Sequence, residues 1–244
     1  MNIILLESGE LEKGCAFLED DRAEHIQKVL HLKEGDSLRI GLVNGPKGQG
    51  TVTETEKHSV RLHCEFEDGV PPESRIDILI ALPRPKVLKR LWAPLASMGV
   101  GRIVLTNAWK VEKNYFDTHV LEEKYYRPHL IEGLQQAGDT RLPAVHLFRS
   151  FTGMMEKLDH MFPAALRILA DPSGVLSAHK TVSEKKSDRV LLAVGPEGGW
   201  IPREIESFQA KGFELVGMGP RILRTDTACI ALLALVNDAL KTFQ

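Results

Sequence analysis

Hydrophobic positions in the first third of the chain come in short alternating runs. Residues 37–43, 50–54 and 59–66 place apolar side chains at roughly every second position, which predicts strands with one buried face. The turn-forming stretches Asn44-Gly45-Pro46 and Lys47-Gly48 lie between two of these runs. One helix interrupts them, with Asp21 as its N-cap and Ile26, Val29 and Leu30 along one face. The stretch Asp68-Gly69-Val70-Pro71-Pro72 then breaks the pattern, and a boundary between two domains, 1–72 and 73–244, is expected there.

Beyond it the period changes. Residues 76–82 form a continuous apolar strand, followed by a helix over about 86–98 and a strand at 102–106. A long helix is expected around 121–137, strands at 144–147, 166–170, 190–194 and 213–218, and a closing helix over 225–243. Apolar strands alternating with helices predict an α/β fold whose parallel sheet is covered on both faces. In such sheets ligands gather at the carboxyl ends of the strands. There is no internal repeat and no low-complexity tract.

Composition narrows the setting. The longest apolar run, 228–236, is about half of what spans a bilayer. The first residues turn acidic without a basic leader. Three widely separated cysteines, Cys15, Cys64 and Cys229, argue against a disulfide framework, and no Cys/His spacing suggests a metal. A cytoplasmic protein with no membrane and no metal partner is expected. The net charge of −2 is unevenly divided. Residues 1–72 hold 8 basic against 14 acidic residues, and residues 73–244 hold 23 against 19. Within 84–113, Arg84, Lys86, Lys89, Arg90, Arg102, Lys110 and Lys113 face a single acid, Glu112. Such a cluster is either a solvated helix face or a surface that steers a polyanion.

Two loops carry the candidate chemistry. Gly195-Pro196-Glu197-Gly198-Gly199-Trp200 directly follows a strand, and its glycines let main-chain groups approach a ligand closely. Met218-Gly219-Pro220-Arg221-Ile222-Leu223-Arg224-Thr225-Asp226-Thr227 runs from a strand into the last helix, where Thr225 is a plausible N-cap and Asp226 suits the helix start. Neither loop matches a dinucleotide fingerprint or a Walker A sequence, and each alone reads first as a tight structural turn and only second as a ligand loop.

Paired in this order, the loops resemble the SPOUT class of RNA methyltransferases, and within it the family that makes N3-methyluridine in 16S ribosomal RNA. His25, Val29-Leu30, Gly35-Asp36, Asn44-Gly45, Met98-Gly99-Val100 and Gln135-Gln136-Ala137-Gly138 follow the same family order. The resemblance implies a C-terminal parallel-sheet domain with a deep trefoil knot, an exception to the rule against threading, and a small N-terminal PUA-like β-barrel. It implies S-adenosyl-L-methionine held by main-chain groups of residues 195–199 and 218–223 with Thr225, and of a third loop near Ala170-Asp171-Pro172. It implies ribosomal RNA or the small ribosomal subunit as partner and a homodimer, with the helix 228–236 serving as core or as part of the interface.

For the reaction, uracil N3 must lose a proton before it attacks a methyl group. Arg224 is the candidate for stabilising charge on the uracil oxygens. Glu197 and Asp226 are candidate proton acceptors, against the alternatives of a loop brace and a helix cap. Arg84, Lys86, Lys89, Arg90, Lys110 and Lys113 are candidate phosphate contacts. Trp92 and Trp109 are read first as core and second as stacking platforms. The chain departs from the family pattern at Asp139, Pro94, His31 and Asp226. Those departures leave open a different rRNA or tRNA target, or a non-catalytic ribosome-assembly factor.

Overall fold

The computed structural model describes residues 2–241, so residues 242 and 243 of the expected closing helix lie outside the described residues. Close contacts divide the chain into two bodies, residues 1–73 with 131–142, and residues 74–130 with 143–244.

The first body is a six-stranded sheet. In chain order its strands are β1 (Ile4–Leu6), β2 (Leu11–Glu12), β3 (Cys15–Leu18), β4 (Ser37–Leu42), β5 (Lys47–Thr55) and β6 (Val60–Phe66). They lie in the order β1-β4-β5-β6-β3-β2, antiparallel except for the parallel pair β1 and β4. A register shift between Val52 and Glu54 interrupts the β5–β6 ladder, a device that bends a strand and curls a sheet. Ile4, Leu6, Leu18, Ile40, Val60 and Leu62 are fully buried on the inner face with Ile26. From residues 131–142, the hydroxyl of Thr140 donates to the Gly45 carbonyl at 2.6 Å, and the Arg141 side chain donates to the Pro71 carbonyl at 2.6 Å.

The helix expected here is shorter and differently phased. Asp20, not Asp21, is its N-cap, accepting the Arg22 amide at 2.9 Å. One turn, α1 (Asp21–Glu24), gives way to a wider turn in which the Leu30 amide reaches back five residues to the His25 carbonyl. That extra residue rotates the following side chains off the α-helical face. Ile26 is buried as expected, whereas Val29 is 62% exposed and Leu30 also faces solvent.

The second body is an α/β fold on a seven-stranded parallel sheet. Its strands are β7 (Ile76–Ala81), β8 (Val100–Thr106), β9 (Ala144–Phe148), β10 (Leu166–Ala170), β11 (Leu176–Ser177), β12 (Val190–Val194) and β13 (Glu214–Gly217). Their order is β11-β13-β10-β12-β7-β8-β9. The central strands β7 and β12 are buried throughout, which is why they read as unbroken apolar runs. The helices are α2 (Pro85–Ser97), α3 (Glu123–Ala137, of which residues 131–137 belong to the first body), α4 (Phe151–Met161), α5 (Ala178–Lys185), α6 (Pro202–Ala210) and α7 (Thr225–Lys241). Proline at the first position of α2 and of α6 suits a helix start, where no intrahelical amide bond is lost. In α7, Cys229, Leu232, Leu233 and Val236 are fully buried, while Leu235 is partly exposed.

A fully buried carboxylate sits inside this apolar sheet. Asp77, on β7, is fully buried and takes a fork from Arg189 at 2.6 and 2.9 Å. Arg102 approaches the same carboxylate at 3.7 Å. Trp92 is fully buried as expected, but Trp109 is 79% exposed and belongs to no core.

Candidate active site

Three neighbouring strand ends form the floor of one cleft. Parallel register sets Ala170 of β10 beside Val194 of β12 and Val216 of β13. All three line the cleft, which holds about 630 Å³ of atom-free space with its open mouth included. It therefore opens at the carboxyl edge of the sheet, where main-chain groups beyond the last ladder bond are free to meet a ligand.

The glycine-rich loop after β12 is held from several sides. Gly199 adopts a φ of +70°, a left-handed conformation that favours glycine, and its amide closes a turn on the Pro196 carbonyl at 2.8 Å. One Glu197 carboxylate oxygen accepts the Arg84 amide at 3.0 Å, joining the loop to the start of α2. The Lys110 ammonium donates to the Gly198 carbonyl at 2.7 Å. The buried Thr225 hydroxyl donates to the Gly195 carbonyl at 3.3 Å, which joins the two sequence-predicted loops. Thr225 thus begins α7 with its hydroxyl turned to the other loop rather than capping its own helix. Asp226 accepts the adjacent Thr227 amide at 3.1 Å.

The third loop meets β13 backbone to backbone. A Cβ on Gly217 would lie 2.1 Å from the Gly174 carbonyl oxygen, and one on Gly174 would lie 2.3 Å from the Val216 carbonyl carbon. The opposite wall carries Trp200, buried and packed against Phe151 and Phe208. Among the described residues its indole N–H has no hydrogen-bond partner, and a Cβ on Gly195 would lie 3.1 Å from that nitrogen. A buried donor without an acceptor beside a cradle that excludes side chains is the arrangement of a site awaiting a polar ligand atom.

Ala170, Gly195, Pro196, Glu197, Gly199, Met218, Gly219, Ile222, Leu223 and Thr225 all line this cleft. Gly198 does not line it; it faces Lys110 instead. Arg224 and Asp226 stand just outside the lining, where the Asp226 carboxylate meets Arg90 at 2.6 Å and Arg224 at 3.5 Å. Partial burial pushes the Asp226 carboxyl up. The Arg90 hydrogen bond, the Thr227 amide and the Arg224 charge outweigh that effect and hold it below the usual carboxylate range. Arg221, within the expected 218–223 stretch, also lines the cleft, and Trp200 does so without having been singled out, although it closes the very motif that was read for its glycines.

The candidate phosphate contacts have mixed surroundings. Arg84, Lys86 and Lys89 are exposed on the first turns of α2, with the Lys89 ammonium 5.9 Å from the Tyr125 ring centre. Arg90 is committed to Asp226 and Lys110 to the glycine loop, whereas Lys113 opens a separate groove. Among the described residues no cluster of three or more His, Cys, Asp or Glu side chains gathers in metal-binding geometry, and no helix is long and apolar enough to cross a membrane.

Comparison with known proteins bears on both bodies. Residues 71–237 match the family model of the RNA methyltransferase domain, and residues 18–63 match that of the RNA methyltransferase PUA domain. Ribosomal RNA small subunit methyltransferase E of Treponema pallidum is 33% identical, over 97% of this chain and 90% of that protein. Ribosomal RNA small subunit methyltransferase E 1 of Borreliella burgdorferi is 26% identical over 95% of each chain. A crystal structure of ribosomal RNA small subunit methyltransferase E from Neisseria gonorrhoeae, bound to S-adenosyl methionine, has the same fold. Its TM-score is 0.77 at 21% identity, over 98% of this chain and 97% of that one.

Proposed function

The chain belongs to the RNA methyltransferase family that includes ribosomal RNA small subunit methyltransferase E, and from that premise we propose that it methylates N3 of a uridine in 16S ribosomal RNA. It is an S-adenosylmethionine-dependent ribosomal RNA methyltransferase. One observation within the chain carries the reading furthest. Thr225 bonds the second loop to the first, so the two motifs build one cleft. The cofactor fits what surrounds it. Main-chain groups of the three loops and the orphaned Trp200 indole N–H offer donors and acceptors where side chains are excluded. When bound, the cofactor supplies an electrophilic methyl group on sulfonium.

The chain's own residues do the rest. Arg224, with its side chain largely in solvent beside the cleft, offers a planar cation to the uracil oxygens as N3 loses its proton. Asp226 stays ionised between Arg90 and Arg224, which suits it to positioning Arg224 better than to taking a proton. Glu197 lines the cleft and is the better acceptor of the two. Arg84, Lys86 and Lys89, exposed beside the Glu197 loop, are placed to meet phosphates of a folded RNA.

The sheet order also suits a knotted chain, since β12 comes late in sequence yet lies between β10 and the first strand of the body, β7. Homodimerisation through α7 accompanies this reading, with Leu235 left partly exposed. Nucleoside mass spectrometry of 16S rRNA from a strain lacking the protein tests the reaction. Loss of N3-methyluridine is the expected result, and an unchanged level would overturn the assignment.

A further inference from the structure

We propose that a groove adjoining the cleft receives an unpaired base of the substrate RNA, stacked on the Trp109 indole, with Lys113 and Arg203 holding the adjacent phosphates. The proposal rests on the RNA methyltransferase reading above. The groove lies against α4 and α6, lined by Phe151 and Met155 from the one and Arg203 and Ser207 from the other. With its open mouth included it holds about 1630 Å³ of atom-free space, against about 630 Å³ for the cleft, so a planar base is not excluded by size.

Trp109 is the strongest sign. A tryptophan that is 79% exposed leaves a large apolar face in water, while its backbone is held fast. Its amide donates to the buried Glu204 carboxylate at 2.8 Å, the preceding amide is taken by the Asn107 side chain at 2.9 Å, and the Val111 amide closes a turn on Ala108 at 3.0 Å. The ring is therefore displayed from a rigid turn, so little further ordering is needed when a flat partner arrives.

Charge selects that partner. Among the described residues neither Lys113 nor Arg203 has an ion-pair partner, so both cations are available. Among the groove's lining residues Glu204 is the one carboxylate, and it is already committed. Glu204 accepts the Trp109 and Ile201 amides, and Asp159 is shared by Lys211 and Arg167. An exposed indole between uncommitted cations suits a polyanion with planar bases better than a peptide. The groove is also continuous with the chemistry. Trp200 lines the cleft and Ile201 the groove, and Lys110, next to Trp109, holds the Gly198 carbonyl. A base stacked on Trp109 is thus a near neighbour of the nucleotide in the cleft, and contacts there select a single-stranded context around the target.

The test compares full-length wild type, Trp109→Ala and Trp109→Phe. A fluorescein-labelled single-stranded oligoribonucleotide containing uridine is titrated by anisotropy, and S-adenosylmethionine by calorimetry. Trp109→Ala should bind the RNA roughly 5- to 100-fold more weakly, the range set by loss of one base–aromatic stack. Trp109→Phe should stay within about threefold of wild type, because a ring remains to stack. Cofactor affinity should not move, which also reports that the variants are folded. The Lys113→Ala, Arg203→Ala double variant should reduce the slope of log affinity against log salt by about 1.4, roughly 0.7 for each phosphate contact on a single strand. Unchanged RNA affinity and methylation in Trp109→Ala would overturn the inference and leave the methyltransferase reading intact. Failure of the wild type to methylate ribosomal RNA would overturn both. Normal RNA affinity in Trp109→Ala with lost methylation of assembled subunits would show a protein contact instead, and would equally overturn the RNA stack.

Discussion

Gly217 and Gly219 lie two residues apart at the end of β13, yet the structure gives them opposite reasons to be glycine. At Gly219 the φ is +88° and a Cβ would meet nothing within 4 Å, so the constraint is conformational. Alanine there costs about 1–2 kcal/mol, the usual penalty for an L-residue in the left-handed region. At Gly217 a Cβ would sit 2.1 Å from the Gly174 carbonyl oxygen, so the constraint is steric. Carbon and oxygen in contact keep roughly 3.3 Å, so the two backbones must part by about 1 Å. Neither side yields as a flexible side chain does, because β11 and β13 are paired through Leu176–Val216 and Ser177–Gly217. Overpacking of this kind costs about 2–3 kcal/mol. For a body of this size each kcal/mol lowers the melting temperature by about 2–4 °C. Calorimetric unfolding should therefore show a fall of about 2–8 °C for Gly219→Ala and about 4–12 °C for Gly217→Ala. Asparagine separates the two causes cleanly, since it tolerates positive φ better than alanine but is bulkier. Gly219→Asn should be more stable than Gly219→Ala, and Gly217→Asn less stable than Gly217→Ala. Titration with S-adenosylmethionine should show the greater loss at Gly217, where the loop after β10 and the end of β13, both of which supply cleft-lining residues, are pushed apart. The same asparagine-to-alanine ranking at both positions would refute the steric account of Gly217.

Three further outcomes follow from the ion pairs and buried groups. Asp77→Ala leaves Arg189 without the carboxylate it forks, and urea denaturation should show a loss of about 3 kcal/mol, as for other broken buried pairs; a loss under about 1 kcal/mol would contradict it. Burial and the nearby Arg102 charge hold His146 below its ordinary 6.5, with Asp77 opposing. Its contribution is thus fully present above pH 6.5 and drains away as pH falls through the lower folded value, so the thermal midpoint of His146→Gln should fall less steeply with acid than that of wild type. Asp226 remains ionised across the neutral range, so Asp226→Asn should slow methylation by about tenfold through a loosened Arg224 and leave the shape of the pH–rate curve unchanged; a fall of more than about a hundredfold with the basic limb abolished would make it the proton acceptor instead.

What the sequence discloses and what it withholds divide along a physical line. The apolar runs of β7 and β12 are legible because burial on both faces is written residue by residue. The cleft loops are legible for a related reason, since Gly199 and Gly219 answer to their own φ angles, a strictly local demand. Asp77, by contrast, sits in an apolar run and is explained only by Arg189, 112 residues away. The exposure of Val29 and Leu30 turns on one main-chain bond that reaches back five residues instead of four, a shift no periodicity of 3.6 anticipates. Trp109 follows the same logic. Hydropathy assigns an indole to the core, but the capture of its amide by Glu204, 95 residues on, fixes the turn from which it points outward. Glu197 joins this second class, since the partner of its carboxylate is an amide 113 residues earlier in the chain. Residues whose role is met by their own backbone can be read in one dimension. Those that act through a distant partner need the fold, and at this site the proposed proton acceptor and the proposed stacking ring are both of that kind.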